Sequence, residues 1–104
     1  MTKAKKEVLR FVEERDWDQF HSPENLAKSI SIEAAELLEC FQWSNDYNKS
    51  NVVEELADII IYSVLLAEKL DVDINEIVNN KIITNDKKYP INKSKGNFKK
   101  YNQF

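Results

Sequence analysis

The sequence predicts an all-α fold of four helices in a single domain of residues 1–104. One Gly and two Pro in the whole chain are too few for an all-β domain, which needs many turn residues. Hydrophobic residues make up 42% and charged residues 32% of the chain, a balance typical of a soluble helical domain. Apolar residues also recur at intervals of about three and four, the period of an α-helix.

Capping residues predict where the helices begin. Ser22 and Pro23 suit the start of the second helix, because Ser accepts a backbone hydrogen bond at the N-cap and Pro is favoured at the first helical position. Ser50 or Asn51 is expected to cap the third helix, and Asp73 begins a D-x-x-E capping box at the fourth. The four predicted helices span about residues 2–16, 23–43, 51–70 and 74–87.

Charge is distributed unevenly along the chain. Residues 1–80 carry 8 Lys and Arg against 17 Asp and Glu, whereas residues 81–104 carry 7 Lys and one Asp. Pro90 limits the helical body to residues 2–90, and residues 91–104 are predicted to form an irregular basic arm. An acidic body with a basic arm suggests that the body binds cations and the arm binds phosphates. The alternative is a solvated tail that pairs with the acidic body.

The second predicted helix carries a carboxylate on its apolar face. Glu33 falls in the middle of the apolar stripe, and Glu36 follows one turn later. A carboxylate in a core stripe is costly to desolvate unless a partner neutralises it. Lys28 is the only basic residue on this helix and lies on its opposite side, so a divalent cation is the better partner. The stripe consists of Leu26, Ile30, Leu37 and Phe41.

A second acidic pair lies on the third predicted helix. Glu55 and Asp58 are three residues apart, and Glu55 falls within the apolar arc of that helix. If the two helices pack face to face, the two pairs form a site of four carboxylates. Oxygen ligands of this kind favour Mg²⁺, with Mn²⁺ as a substitute. Glu39 continues the series on the second helix, and either orients water or a second metal ion at the edge of the site or has no role.

These acidic pairs are where the sequence resembles a known family. The E-x-x-E of Glu33 and Glu36, followed by the E-x-x-D of Glu55 and Asp58, resembles the motif of the all-α MazG-like nucleotide pyrophosphohydrolases. The similarity is greatest to the branch that contains dCTP pyrophosphatase and compact bacterial MazG-like proteins. It extends over Glu14–Leu26, Glu33–Trp43, Glu54–Asp58 and Asn85–Pro90.

The resemblance implies an enzyme that hydrolyses nucleoside triphosphates, such as dCTP and other dNTPs, to the monophosphate and pyrophosphate. It implies Mg²⁺ as cofactor and a role in cleaning the nucleotide pool. The four carboxylates would be the metal ligands, and Trp17 and Trp43 would hold the base. The residues expected to reach the phosphates are Lys81, Asn85, Lys88 and Tyr89. One departure is that Val8 stands where animal relatives have a His that helps contact the base.

Other expectations concern Tyr62 and assembly. Tyr62 lies one turn beyond Asp58, and either bonds a metal ligand or the sugar, or packs in the core. From Ile59 to Ala67 the third helix is apolar on nearly all sides, which indicates an oligomer interface as well as a core. The resemblance implies a homotetramer built as a dimer of dimers, with the basic arm of one subunit reaching its own site or a neighbour's.

Other features of the sequence argue against several classes of protein. The single Cys40 is interpreted as a core residue, excludes an intramolecular disulfide and is compatible with a reducing cytoplasm. The N-terminus lacks the apolar segment of a signal peptide, and no apolar run is long enough to span a membrane. A ferritin-like oxidase needs Glu-x-x-His pairs, and His21 is the only His. The acidic body argues against nucleic-acid binding, whereas a non-catalytic metal-binding or regulatory protein remains an alternative.

Overall fold

The structure, a computed structural model, describes residues 2–96, and all regular structure among them is helical. The all-α prediction is therefore confirmed. The described residues divide after Val72 into two compact units; whether the whole chain is one domain stays a prediction. No helix in this range combines the length and apolarity that a membrane span requires. The helices are α1 (Thr2–Glu14), α2 (Pro23–Glu39), α3 (Lys49–Lys69), α4 (Ile74–Lys88) and α5 (Ile91–Ser94), with a 3₁₀ turn at Asp18–Phe20.

Two of the predicted N-caps are confirmed and one is wrong. The Ser22 hydroxyl accepts a hydrogen bond from the Asn25 N–H at 3.1 Å, and the Asp73 carboxylate accepts one from the Glu76 N–H at 3.0 Å. At α3 the cap is Asn48, whose side chain accepts from the Asn51 N–H at 3.2 Å. The predicted caps, Ser50 and Asn51, lie two and three residues after the observed one. Asn48 takes this role because its side chain accepts from a backbone N–H that has no partner within the helix.

Helix α2 ends four residues earlier than the pattern predicts. The N–H groups of Cys40, Phe41 and Gln42 donate to carbonyls three residues back, at 3.2, 3.0 and 3.1 Å, which tightens the chain out of the α-helix. Phe41 consequently leaves the predicted apolar stripe and packs on Tyr47, with ring centroids 5.1 Å apart. Cys40, predicted to be a core residue, is only half-buried.

Helix α1 also ends earlier than predicted, at Glu14 rather than near residue 16. Asp16 adopts a positive φ of 53°, which an α-helix does not allow. The Trp17 N–H then donates to the Val12 carbonyl at 3.1 Å. This turn directs the chain into the 3₁₀ segment and positions Trp17 and His21, two residues of the candidate site.

The core of the first unit is formed by α1, α2 and α3. Helix α2 packs along α3, and α1 packs against α3 less extensively. Leu26 of α2 is fully buried against Val12 of α1 and Leu65 of α3. Complete burial of a Leu side chain contributes about 2 kcal/mol to stability. Leu26 lies two turns before Glu33 on α2, so this packing also places Glu33 next to α3.

One face of α3 remains exposed in the single chain. Val53 is 51%, Leu56 48% and Ile60 42% exposed, at helical spacing along the same side. Val64, one turn after Ile60 on this side, is already buried, and Leu65 on another side of the helix belongs to the core cluster. Within the predicted stretch Ile59–Ala67, Ile60 and Ile61 are exposed whereas Val64, Leu65 and Ala67 are buried, and the oligomer interface stays a prediction.

The second unit contains α4 and α5. Helix α4 ends in the hydrogen bond from the Tyr89 N–H to the Asn85 carbonyl, at 2.8 Å. Pro90 precedes the short α5, in which the Ser94 N–H donates to the Pro90 carbonyl at 2.9 Å. The predicted irregular arm is therefore helical in its first turn, because Pro90 is well suited to starting a new helix. Residues 97–104, the rest of that arm, lie outside the described residues.

Candidate functional site

Three acidic side chains converge where α2 packs on α3. Glu33 comes from α2, and Glu55 and Asp58 come from α3. Each offers a carboxylate oxygen, these oxygens lie within 4.8 Å of one another, and all three residues are half-buried. The spacing of three residues on α3 places Glu55 and Asp58 on the same side of that helix, opposite Glu33.

Two oxygens of this cluster have no partner. Glu33 Oε2 and Glu55 Oε2 are buried and accept no hydrogen bond within the described part of the chain. A buried carboxylate oxygen without a donor is costly, and the cost is greater when a second carboxylate lies beside it. The fold therefore brings together carboxylates that repel each other, and none of the ion pairs within residues 2–72 joins a Lys or Arg to them.

The electrostatics of the cluster are visible in the pKa of Glu33, which rises from its ordinary value of 4.5 to about 7. The largest cause is the neighbouring Glu36 carboxylate, with which a protonated Glu33 can share a hydrogen bond; burial, the same kind of interaction with Glu55, and repulsion from Glu36 and Asp58 follow. The pKa of Glu55 is also raised, first by burial and then by Glu36. Without a bound cation, Glu33 therefore holds its proton to a higher pH than an ordinary Glu side chain.

The donor set fits a hard divalent cation. Such an ion prefers carboxylate oxygens and would bind the two unpartnered oxygens, those of Glu33 and Glu55. It would also remove the repulsion that raises the pKa of these two residues. Glu36 is exposed, but it lies close enough to Glu33 and Glu55 to influence the pKa of each. Glu39, the last residue of α2, is exposed on the following turn.

Asp58 also borders a cavity of about 240 Å³ with aromatic walls. Trp17 and Phe11 meet edge to face there, with ring centroids 5.6 Å apart. The Arg15 guanidinium lies 3.7 Å from the centroid of the Phe11 ring and holds it by a cation–π contact. Tyr62, one turn beyond Asp58 on α3, lines the same cavity. The full lining is Phe11, Val12, Trp17, His21, Asp58, Ile61, Tyr62 and Leu65.

The two predicted base-binding tryptophans differ in their surroundings. Trp17 lines the aromatic cavity and is 45% exposed. Trp43 is 89% exposed, lies beyond the end of α2, and is absent from the lining of that cavity. Within one chain, the structure therefore brings Trp17 but not Trp43 to the aromatic cavity.

The predicted phosphate-binding residues lie in the second unit. Lys81, Asn85 and Lys88 are four and three residues apart on α4, so they share one face of that helix. Tyr89 is the C-cap residue of the same helix. Their contact with phosphates stays a prediction.

The sequence suggests that residues 15–21, with two aromatic side chains and a His, form either a loop over a pocket or a staple that fixes the second helix, but it assigns neither His21 nor Phe11 to the site. His21 suggests a loop or capping residue and Phe11 a core residue, yet both line the cavity beside Asp58. The signal that was available is the cluster of aromatic residues and a His between α1 and α2. Its position relative to α3 depends on tertiary packing, which helical periodicity does not reveal.

Comparison with known proteins identifies the family. The family model described as MazG-like matches residues 28–104. The chain belongs to the MazG-like family. The predicted family is thereby confirmed, and the carboxylate cluster lies within the matched segment.

Individual relatives of this MazG-like chain carry related names. It is 40% identical over 101 residues to dCTP pyrophosphatase 1 of Mus musculus, covering 88% of this chain and 59% of that protein. The corresponding protein of Homo sapiens is 36% identical over 103 residues, covering 89% and 61%. The chain thus spans about three fifths of the length of these relatives.

A solved structure supports the same fold. The crystal structure of a pyrophosphatase from Archaeoglobus fulgidus superposes with a TM-score of 0.81 and 38% sequence identity. The match covers 86% of this chain and 92% of that one. The helical arrangement described above is therefore shared with a chain of similar length.

Proposed function

We propose that this MazG-like protein hydrolyses nucleoside triphosphates to the monophosphate and pyrophosphate. The observation that carries the proposal is the cluster of Glu33, Glu55 and Asp58, which has two unpartnered buried oxygens and borders an aromatic cavity through Asp58. The names of the relatives, dCTP pyrophosphatase 1 and pyrophosphatase, support the same reaction.

The cofactor of the proposed reaction is Mg²⁺, with Mn²⁺ as a substitute. Glu33, Glu36, Glu55 and Asp58 would hold it. When bound, it supplies charge neutralisation on the triphosphate and lowers the pKa of attacking water. The protein contributes the packing of α2 on α3, which brings the carboxylates together. Glu39, one turn after Glu36, is proposed to orient water at the edge of this site.

The proposed substrate is a dNTP, with dCTP as the first candidate. The aromatic cavity beside Asp58 suits a nucleobase, because Trp17 and Tyr62 offer stacking area and the phosphates would extend toward the carboxylates. Trp43 is proposed as a further base contact. Lys81, Asn85, Lys88 and Tyr89 are proposed to neutralise the departing pyrophosphate.

The proposed working form is a homotetramer made of two tight dimers. The exposed apolar face of α3, formed by Val53, Leu56 and Ile60, supports an isologous interface in which the same helix of a second chain covers it. The biological role proposed from the family is removal of unwanted nucleotides in the cytoplasm.

Pyrophosphate release from a panel of nucleoside triphosphates tests the proposal. We expect release from at least one dNTP with Mg²⁺, and none when the metal is removed by a chelator. The organic product should be the monophosphate, which distinguishes this reaction from stepwise removal of phosphate. Binding of Mg²⁺ without hydrolysis of any nucleotide in the panel would contradict the proposal and favour a non-catalytic metal-binding protein.

A further inference from the structure

An ion pair joins the 3₁₀ turn that follows α1 to the last turn of α3. Lys69 Nζ lies 2.8 Å from Asp18 Oδ1. The Lys69 side chain is 30% exposed, less than the cationic side chain of any other ion pair within residues 2–72. A lysine covered to this extent has less freedom than a fully solvated one, so the pair defines a position for the turn relative to α3.

The other bonds between this turn and its neighbours lead to α1 and α2. The Trp17 N–H donates to the Val12 carbonyl of α1 at 3.1 Å. Nδ2 of Asn25, on α2, donates to the Phe20 carbonyl at 3.1 Å. Within residues 2–72, the hydrogen bonds and ion pairs place only Lys69 between the turn and α3. Loss of the Lys69 charge would therefore leave the turn without a polar contact to that helix.

The charges around the pair make this contact more important. A cavity of about 360 Å³ is bordered by α1, the turn and the end of α3. Its walls carry Glu13, Asp16 and Asp18 from α1 and the turn, and Glu68 from α3. Lys69 is the only Lys or Arg in this lining. Without its charge, carboxylates on both sides of the cavity would repel the turn from α3.

The turn carries one wall of the aromatic cavity. The Trp17 ring lines that cavity together with Tyr62 of α3, and it is 45% exposed, so burial alone does not fix its position. Trp17 directly precedes Asp18 in the chain. Because consecutive Cα atoms are only about 3.8 Å apart, a contact that holds Asp18 also limits where Trp17 can lie.

We propose that Lys69 is a positioning residue for substrate binding, because its ion pair with Asp18 holds the turn against α3 and so keeps the Trp17 ring in the aromatic cavity. This inference rests on the proposed function where it concerns substrate, since a nucleotide must occupy that cavity. Lys69 itself is not among the residues that line the aromatic cavity. An ion pair open to solvent contributes little to global stability, so the expected effect is on binding geometry rather than on folding.

Steady-state kinetics of three variants test the effect on the substrate. Lys69→Met keeps an unbranched side chain of similar length, and it should raise KM for the best nucleotide about threefold, within the range of one exposed ion pair, with kcat nearly unchanged. Lys69→Arg should restore most of the wild-type KM, because its guanidinium can pair with the same carboxylate. The double variant Lys69→Met with Asp18→Asn should bind no more weakly than Lys69→Met alone, since both substitutions break one interaction.

The chain offers a matched control on the neighbouring residue of α3. Lys5 Nζ lies 3.2 Å from Glu68 Oε2, in an ion pair that joins the beginning of α1 to α3 and does not involve the turn. Lys5→Met should therefore leave KM unchanged. The ratio of KM values between Lys69→Met and wild type should also approach one as the salt concentration rises, because salt screens both the lost attraction and the remaining repulsion. Packing of the lysine stem alone would not depend on salt.

Fluorescence of Trp17 tests the position of the turn without substrate. The chain has two Trp residues, so Trp43→Phe leaves Trp17 as the single reporter. In that background, Lys69→Met should shift the Trp17 emission to longer wavelength and increase its quenching by acrylamide, because the ring moves into solvent. Lys5→Met should change neither signal.

The inference requires both the kinetic and the fluorescence result. It is overturned by an unchanged KM in Lys69→Met, by an unchanged Trp17 signal, by equal effects in Lys5→Met, or by a loss confined to kcat, which would place Lys69 near the reacting groups. If wild type releases pyrophosphate from no nucleotide, the proposed function fails instead. The Trp17 signal then still decides whether Lys69 holds the turn.

Discussion

Glu33 on α2 and Glu55 on α3 face each other, and each keeps one oxygen, Oε2, buried without a hydrogen-bond partner among residues 2–96. Their carboxylates belong to a cluster whose oxygens lie within 4.8 Å of one another. Repulsion between these buried carboxylates lowers the stability of the fold unless a bound cation compensates for it.

Loss of one carboxylate should abolish turnover while leaving the fold intact. Glu33→Gln or Asp58→Asn is expected to lower Mg²⁺-dependent pyrophosphate release by orders of magnitude, because each replaces a charged ligand by a neutral amide. Circular dichroism should show helicity near that of wild type. Glu54→Gln is the matched control, since Glu54 is adjacent to Glu55 on α3 but exposed. Normal activity in Glu33→Gln would remove Glu33 from the ligand set.

The metal-free protein should become less stable as the pH rises from about 4.5 to about 7. The pKa of Glu33 is raised to about 7 in the folded state, chiefly by its hydrogen bond with Glu36 and by burial. The stabilising proton is therefore bound fully below the ordinary value of 4.5 and is lost as the pH passes through about 7. Thermal melts in chelator across this range measure the effect.

Two further melts separate the cause of that pH dependence. Saturating Mg²⁺ should weaken it, because the ion replaces the proton as the neutralising charge. Glu33→Gln should reduce it in the absence of metal, whereas the control Glu54→Gln should leave it unchanged. A metal-free melting temperature that rises over the same pH range would contradict the raised pKa.

Removal of an exposed aromatic ring should weaken substrate binding more than chemistry. Trp43→Ala is expected to raise KM for the best nucleotide more than it lowers kcat, because stacking contributes equally to the ground state and the transition state. The measurement is steady-state kinetics of Trp43→Ala and of Trp17→Ala, which alters the wall of the aromatic cavity. A rise in KM for the same nucleotide in both variants would show that both rings contact it. A loss confined to kcat would instead place Trp43 near the reacting phosphate.

A charge on the exposed face of α3 should disrupt assembly. Ile60→Glu is expected to shift the predicted tetramer toward smaller species and to lower activity, because a carboxylate at an apolar interface is costly to desolvate. Ile60 is preferable to Leu65, since Leu65 is only 6% exposed and its replacement would disturb the core. Light scattering on wild type provides the reference, and an active wild-type monomer would rule out an obligate tetramer.

The sequence predicts the helices and the convergence of carboxylates because both follow from local rules. A helical period of about 3.6 residues places Glu33 and Glu55 on apolar faces, and two apolar faces must pack. The end of α2 is less predictable. Apolar spacing continues to Phe41, but hydrogen bonds three residues apart end the helix at Glu39, so the pattern alone overestimates its length.

The aromatic cavity is the part of the site that the sequence predicts least. Phe11, Trp17 and His21 come from α1 and the turn that follows it, whereas Asp58 and Tyr62 come from α3. Their proximity depends on how α1 packs against α3 around Val12 and Leu65. No spacing rule joins residues that are about forty positions apart, so their shared cavity emerges only from the three-dimensional arrangement.

Asp58 and Tyr62 lie four residues apart on α3, and both border the aromatic cavity. Four residues of α-helix advance about 6 Å along the axis. If Asp58 serves the metal and Tyr62 serves the nucleoside, the separation between bond cleavage and recognition is set by a single helical turn rather than by a flexible loop. With the nucleoside held at Tyr62, only one phosphorus of the phosphate chain would then lie beside the metal site. A phosphorus one position nearer to or farther from the sugar would not reach it, so cleavage would be confined to one position of the chain.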